Sequence, residues 1–219
     1  MLFLPELKLK KICDTLLNYL KEDIKEAINN NEENKSYLYL LFHEDSLDTN
    51  MSVYYNQAKE IFLRKEENSR YLKVSPIFDR NRAGLPTIHI MVPQDSESIL
   101  QLGDTEGGFY EERGTDKLER GFKTQFQFVI TSDNILEVYL IIYTIRALLI
   151  GSTSDLAAVG FIDPSFSTQD LNIRQDVLPA NAYMKGILMA ASYSESFPET
   201  GKINSSNKVI FNLTEINYK

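Results

Sequence analysis

The chain has 219 residues, 43% of them apolar, and carries 31 acidic against 23 basic side chains for a formal net charge of −8. A chain of this length and composition buries about 70% of its unfolded surface, which excludes an intrinsically disordered protein. Lys8-Leu-Lys-Lys11 is the densest basic run, so the concentrated positive stripe of a nucleic-acid binder is lacking; an acidic surface suits plain solubility, or a passage through which DNA slides without sticking.

From the N-terminus, Met1-Leu-Phe-Leu-Pro5 shows no signal-peptide pattern, and the chain is expected to be soluble and made in a reducing cytoplasm. Residues 6–30 place Leu9, Ile12, Cys13, Leu16, Leu17, Leu20, Ile24 and Ile28 at helical spacing, with Lys and Glu on the other face and Asn29-Asn-Asn31 as a stop. Cys13, the single cysteine, excludes an intramolecular disulfide and reads as a buried structural thiol. Ser36–Phe42 is a short apolar run compatible with strand or helix. Residues 51–67 predict a second helix with Val53, Tyr54, Ala58, Ile61 and Phe62 on one side.

Tyr71–Phe78 and Pro86–Val92 read as strands, and Pro76 confines the first to a sheet edge or a bulge. Residues 95–120 read as a polar, Gly-rich loop, longer than a hairpin turn needs; such loops are uncommon unless they are functional or ordered by a partner. Gly121–Thr131 predicts a strand with Phe122, Phe126, Phe128 and Ile130 on one face. The next segment, Ile135–Ile150, is the most informative in the chain. It is helical but apolar on nearly every side, so one sheet face cannot satisfy it, and a helix of the same chain or a neighbouring subunit must cover its back. It also holds Glu137 and Arg146 and is too short for a bilayer span. Gly151-Ser-Thr-Ser154 is a helix stop, residues 155–182 read as semi-irregular, and Gly186–Tyr193 as a strand. Ser194–Asn207 reads as loop and Lys208–Ile216 as a last strand. The expected fold is α+β, a mostly antiparallel sheet flanked by helices in one domain over 1–219. Its core is 51–195, with an N-terminal helix at 6–30 and an extended C-terminal arm at 196–219; a parallel strand pair across 131–186 stays open.

Chemistry is sparse. Of two histidines, His43 lies beside Glu44-Asp45 and His89 between Ile88 and Ile90; neither has a local His partner, and both read as surface or interface residues. Asp104, Glu106, Glu111 and Glu112 lack the ligand spacing of a calcium loop, and Gly103, Gly107 and Gly108 lack the strand-then-helix setting of a phosphate cradle. Gly151-Ser-Thr-Ser154 follows a helix, the wrong setting for a nucleophile elbow. A guanidinium buried at Arg146 needs a carboxylate, supplied across a subunit contact, unless its side chain snorkels to the surface. No catalytic, cofactor-binding or metal-ligating set assembles, and the chain is expected not to be an enzyme.

The segment Phe78–Val92 containing Pro86-Thr-Ile-His-Ile90, the Gly-rich acidic loop, Gln127-Phe-Val-Ile-Thr-Ser-Asp-Asn-Ile-Leu-Glu-Val138 and the Leu178-Pro-Ala-Asn181 turn together resemble the tail terminator and neck-completion (head–tail completion) proteins of tailed bacteriophages and related contractile injection systems. The resemblance covers roughly residues 51–195. It implies a non-catalytic virion subunit, assembled in the host cytoplasm, that forms a homo-oligomeric ring, usually a hexamer. That ring ends tail-tube polymerisation and joins the tail to the head connector. Its partners would be further copies of itself, the tail tube or other neck and connector proteins, with DNA only as passing cargo and no membrane. On this reading Gly103, Asp104, Glu106, Gly107, Gly108, Phe109, Tyr110 and Arg146 are candidate assembly-interface residues, and the C-terminal tail is a candidate for strand addition to a neighbour's sheet. The alternatives are another head–tail connector or neck ring, a non-viral ligand-binding or adaptor module, and a hydrolase using His43 or His89.

Overall fold

A computed structural model describes residues 5–43, 51–76, 85–97, 117–171 and 182–198. The fold is α+β. In chain order it contains α1 (Pro5–Asn29), a 3-10 turn (Glu33–Lys35), α2 (Tyr37–His43), α3 (Met51–Leu63), β1 (Lys73–Ser75), β2 (Thr87–Glu97), β3 (Lys117–Ser132), α4 (Ile135–Gly151), α5 (Thr153–Ala158), β4 (Ile162–Asp170) and β5 (Tyr183–Pro198). The sheet runs β1-β2-β3-β5-β4. The β1–β2 pair is parallel, and the other neighbouring pairs are antiparallel.

The periodicity of α1 becomes its buried face: Leu9, Cys13, Leu17, Leu20, Ile24 and Ala27 are buried, flanked by the half-buried Ile12, Leu16 and Ile28. Burial pushes the Cys13 thiol up to about 12, so it is inert. The helix stops where Asn31 takes φ +56° and the Glu32 N–H donates back to the Ala27 carbonyl at 2.8 Å, an αL ending that asparagine tolerates. Ser36–Phe42, open between strand and helix, resolves as α2: the Ser36 hydroxyl accepts from the Tyr39 N–H at 3.2 Å, while Leu38 and Phe42 bury one face. In α3 the buried set is Tyr55, Ala58, Ile61 and Phe62. The expected Val53 is exposed instead, because the tyrosine that turns inward is Tyr55, whose hydroxyl donates to Glu33 at 3.0 Å.

Phe126, Phe128 and Ile130 of β3 join Ile88 and Ile90 of β2 and Ile187 and Met189 of β5 on one sheet face, every one of them fully buried. Helix α4 lies against β3 and β5, α1 against β1 and β2, and α2 and α3 pack on both helices. One hydrophobic cluster runs through all of these elements.

Several expectations are corrected at the strand ends. The first strand shrinks to β1, at the sheet edge that Pro76 implied. Strands β2 and β3 extend to Glu97 and back to Lys117, so the polar loop is the connection of a long antiparallel hairpin and residues 98–116 lie outside the described residues. Its ladder slips between Met91 and Gln94, around Pro93, which has no N–H to donate. The segment at 155–182 is more regular than expected: it holds α5 and the strand β4. Strand β5 continues to Pro198, so the loop expected from Ser194 is strand for its first five residues, and the crossover from β3 to β5 joins antiparallel partners rather than a parallel pair.

Candidate interaction surface

Helix α4 begins at Asn134, whose side-chain oxygen accepts from the backbone N–H of Leu136 at 2.9 Å and of Glu137 at 3.4 Å, an ordinary N-cap. Glu137, at the third helical position, is only 3% exposed. Its Oε1 pairs with Nη1 of Arg64 at 2.5 Å, and its Oε2 with Nη2 of Arg70 at 2.6 Å; the Ser132 hydroxyl also donates to it. Arg70 completes the network with two hydrogen bonds to Asp133, at 2.7 and 2.9 Å. The Arg70 guanidinium, with its own charge and hydrogen bonds, holds the Asp133 carboxyl below the usual carboxylate range, and Asp133 in turn raises Arg70. Two cations and two anions balance, so the apolar helix can start beside the sheet without an unpaired charge.

Beyond this network α4 buries Val138, Leu140, Ile141, Ile142, Ile145 and Leu149. What the described residues leave uncovered is a stripe of Ile135, Tyr139, Tyr143, Arg146 and Ile150, following one another at intervals of three and four along one face. The four apolar members are each about half exposed: Ile135 49%, Tyr139 48%, Tyr143 50% and Ile150 49%. Beside the stripe, α2, α3 and α4 form an apolar groove of about 270 Å³ lined by Leu41, Phe42, Met51, Tyr54, Leu136, Tyr139, Leu140 and Tyr143. Tyr143 spans its edge, its hydroxyl donating to the Leu41 carbonyl at 3.3 Å. Tyr139 lies under the ammonium of Lys185, 4.4 Å from the ring centre; Asp170, bonded to Lys185 at 2.9 Å, raises that ammonium. Among the described residues, the back of the apolar helix is thus only partly covered.

Arg146 is exposed and makes no hydrogen bond or ion pair among the described residues. Gly103, Asp104, Glu106, Gly107, Gly108, Phe109 and Tyr110 lie outside the described residues, as do Glu111, Glu112 and the Leu178–Asn181 turn.

Both histidines depart from the surface reading. His89 does point away from Ile88 and Ile90, but it is 1% exposed, on a second sheet face where Thr87, Val129 and Thr131 are buried as well. His43 is the last residue of α2 and stacks on Tyr39 with ring centres 3.8 Å apart. Its Nδ1 lies 3.0 Å from the Tyr39 carbonyl oxygen, and Tyr55 packs edge-on at 5.6 Å. Glu33 below them accepts from Lys59 at 2.7 Å and from Tyr55, and these bonds hold its carboxyl below the usual range. Desolvation, and then the bond to Glu33, push the Tyr55 phenol up to about 12.

Among the described residues no group of three or more His, Cys, Asp or Glu side chains is placed to hold a metal ion, and no helix is long and apolar enough to cross a membrane. Neither the charge network nor the α2–α4 groove corresponds to a local sequence motif. The signal for the first was a lone glutamate three residues after Asn134 in an otherwise apolar run; for the second, it was the excess hydrophobicity of α4 itself. No protein-family model matches the chain, and no curated protein matches it with significance.

Proposed function

We propose that this protein is a non-catalytic assembly subunit: a structural virion protein that forms a ring at the neck or head-proximal end of a phage tail, ends tube polymerisation and joins the tail to the head connector. The observation that carries the assembly part is the uncovered face of α4. An apolar groove edged by half-exposed tyrosines, on a helix with no polar face to offer water, marks an interaction site. The occupant we assign is a second copy of the chain. Arg146 stands in the stripe with no acidic partner among the described residues, and a chain of net charge −8 presents acidic surface to meet it. In a ring the groove meets a different surface on the next copy, so association closes head to tail. The neck or tail setting rests on the resemblance of Pro86–Ile90, Gln127–Val138 and Leu178–Asn181 to that group of proteins.

The test is sedimentation and negative-stain microscopy of the purified protein over a range of concentrations, beside a Tyr139→Ser/Tyr143→Ser variant. Rings with a central hole that the double variant fails to form support the reading, and sixfold symmetry supports the terminator role. Monomers at every concentration, or equal assembly of the variant, overturn the self-association proposed here; twelvefold rings redirect it to a head–tail connector.

A further inference from the structure

Strand β4 is the edge of the sheet: among the described residues it pairs with β5 and with no other strand. An open edge presents unpaired backbone N–H and C=O groups, and proteins guard such edges with proline, lysine, bulges or a covering segment. The first residues of β4 are guarded in this way, by Pro164, by Asp163 at φ +48° and by a register slip between Ile162 and Ser165. From Ser165 to Asp170 none of these devices is present among the described residues. That run is in regular register with Ala190–Lys185, and Ser165, Ser167, Thr168 and Asp170 are exposed. Phe166 faces the helix side and is only half buried, so its ring is left with one uncovered flank at the rim of the core.

The chain supplies a segment with the complementary pattern. Residues 208–216, Lys-Val-Ile-Phe-Asn-Leu-Thr-Glu-Ile, lie outside the described residues, contain neither Gly nor Pro, and are rich in strand-favouring side chains. Alternation puts Val209, Phe211 and Leu213 on one face and Ile210, Asn212 and Thr214 on the other. The first set matches the helix side, where Phe166 needs cover, and the second matches the side of Ser165 and Ser167.

The direction in which β5 leaves the sheet points to a neighbour's edge. The β4 ladder ends where Ile162 meets Ser192, and β2 reaches β3 only as far as Phe122. Beyond these points Lys117–Gly121 and Ser194–Pro198 pair only with each other among the described residues, as a two-stranded ribbon. The ribbon carries β5 about 20 Å past the end of its own β4, at the strand rise per residue. Pro198 therefore leaves heading away from that edge, and residues 208–216 would have to reverse to regain it.

We infer that the Ser165–Asp170 edge of β4 is completed by residues 208–216 of an adjacent copy, by strand addition. This inference rests on the self-assembly reading, and it names a second contact, distinct from the α4 groove. The test pairs Ser167→Cys with Ile210→Cys, Asn212→Cys or Thr214→Cys in the full chain, oxidised under mild conditions, with particle size measured in parallel. Cys13 is buried and stays out of the reaction, and Ser167→Cys alone is the control. The expected result is a ladder of covalently linked chains on a non-reducing denaturing gel, strongest for one of the tail positions. Cross-links confined within single chains overturn the inference in favour of a tail that closes its own edge. Assembled particles without cross-links overturn it and leave the ring reading standing, whereas particles absent for the wild type remove that reading first.

Discussion

Arg64 and Glu137 are 73 residues apart in the chain and meet at 2.5 Å, with 14% and 3% of their side chains exposed. The pair ties the end of α3 to the first turn of α4, and Arg70 approaches the other carboxylate oxygen from the segment between α3 and β1. Three parts of the chain are therefore fixed by one buried carboxylate. A charge so buried is tolerated only because both its oxygens are met.

Replacing Glu137 by Leu should destabilise the protein by about 3–5 kcal/mol, since two guanidinium groups are left facing each other beside a low-dielectric core. Removing Arg64 at the same time, as Arg64→Met/Glu137→Leu, should be less harmful than the single change, because Arg70 keeps Asp133. Urea denaturation of the two variants and the wild type measures this. A double variant less stable than Glu137→Leu alone would show that Arg64 contributes through its packing and its bond to the Arg70 carbonyl at 3.2 Å, and not through charge.

How far the sequence reveals this molecule depends on which physical signal each part uses. Helix α1 and the centre of β3 are legible because their apolar residues recur at one period for long enough to identify it, and α4 because its apolar run between Asn134 and Gly151 is too long for a buried strand. Strand β4 is not: Ile-Asp-Pro-Ser-Phe-Ser-Thr-Gln-Asp holds two large apolar residues, Ile162 and Phe166, and a strand at an edge with one half-buried face leaves little alternation to read. The strand ends near Glu97, Lys117 and Pro198 are set by pairing between distant segments, which no local pattern encodes. For the interaction surface, excess hydrophobicity in α4 predicts that something must cover it, but only the packing of α2 and α3 shows that Tyr139 and Tyr143 are what remains open. His89 is a similar case: alternation gives its direction, while its burial depends on what covers the second sheet face.

Acid should loosen the structure through Asp133 and Glu33. Both carboxyls are held below their ordinary values, Asp133 by Arg70 and Glu33 by Lys59 and Tyr55. The unfolded chain, with carboxyls titrating near about pH 4, binds more protons than the folded one between that value and the lower folded values. Stability from these contacts is thus fully present above the unfolded values and is lost as pH falls through the folded ones. Melting temperature measured from about pH 7 down to about pH 3 should fall in the acid limb. Asp133→Asn should flatten that fall; an unchanged limb would exclude Asp133 as one of its sources.

The two sides of α4 should respond oppositely to the same insertion of charge. Leu140 is 6% exposed and packs within the hydrophobic cluster, whereas Ile150 is 49% exposed in the uncovered stripe. An aspartate at 140 would need either to ionise among apolar side chains or to remain protonated without a bonding partner, at a cost of several kcal/mol. Total stabilities of domains run at about 5–15 kcal/mol, so Leu140→Asp should lose most or all of the folded population. An aspartate at 150 keeps its water, and only the weak unfavourable interaction of an anion with the C-terminal end of the helix opposes it, about 0.3–1 kcal/mol. Circular dichroism and thermal melts of Leu140→Asp and Ile150→Asp separate these cases. If both variants unfold, the stripe is part of the core of a single chain, and the uncovered face on which the assembly reading stands does not exist.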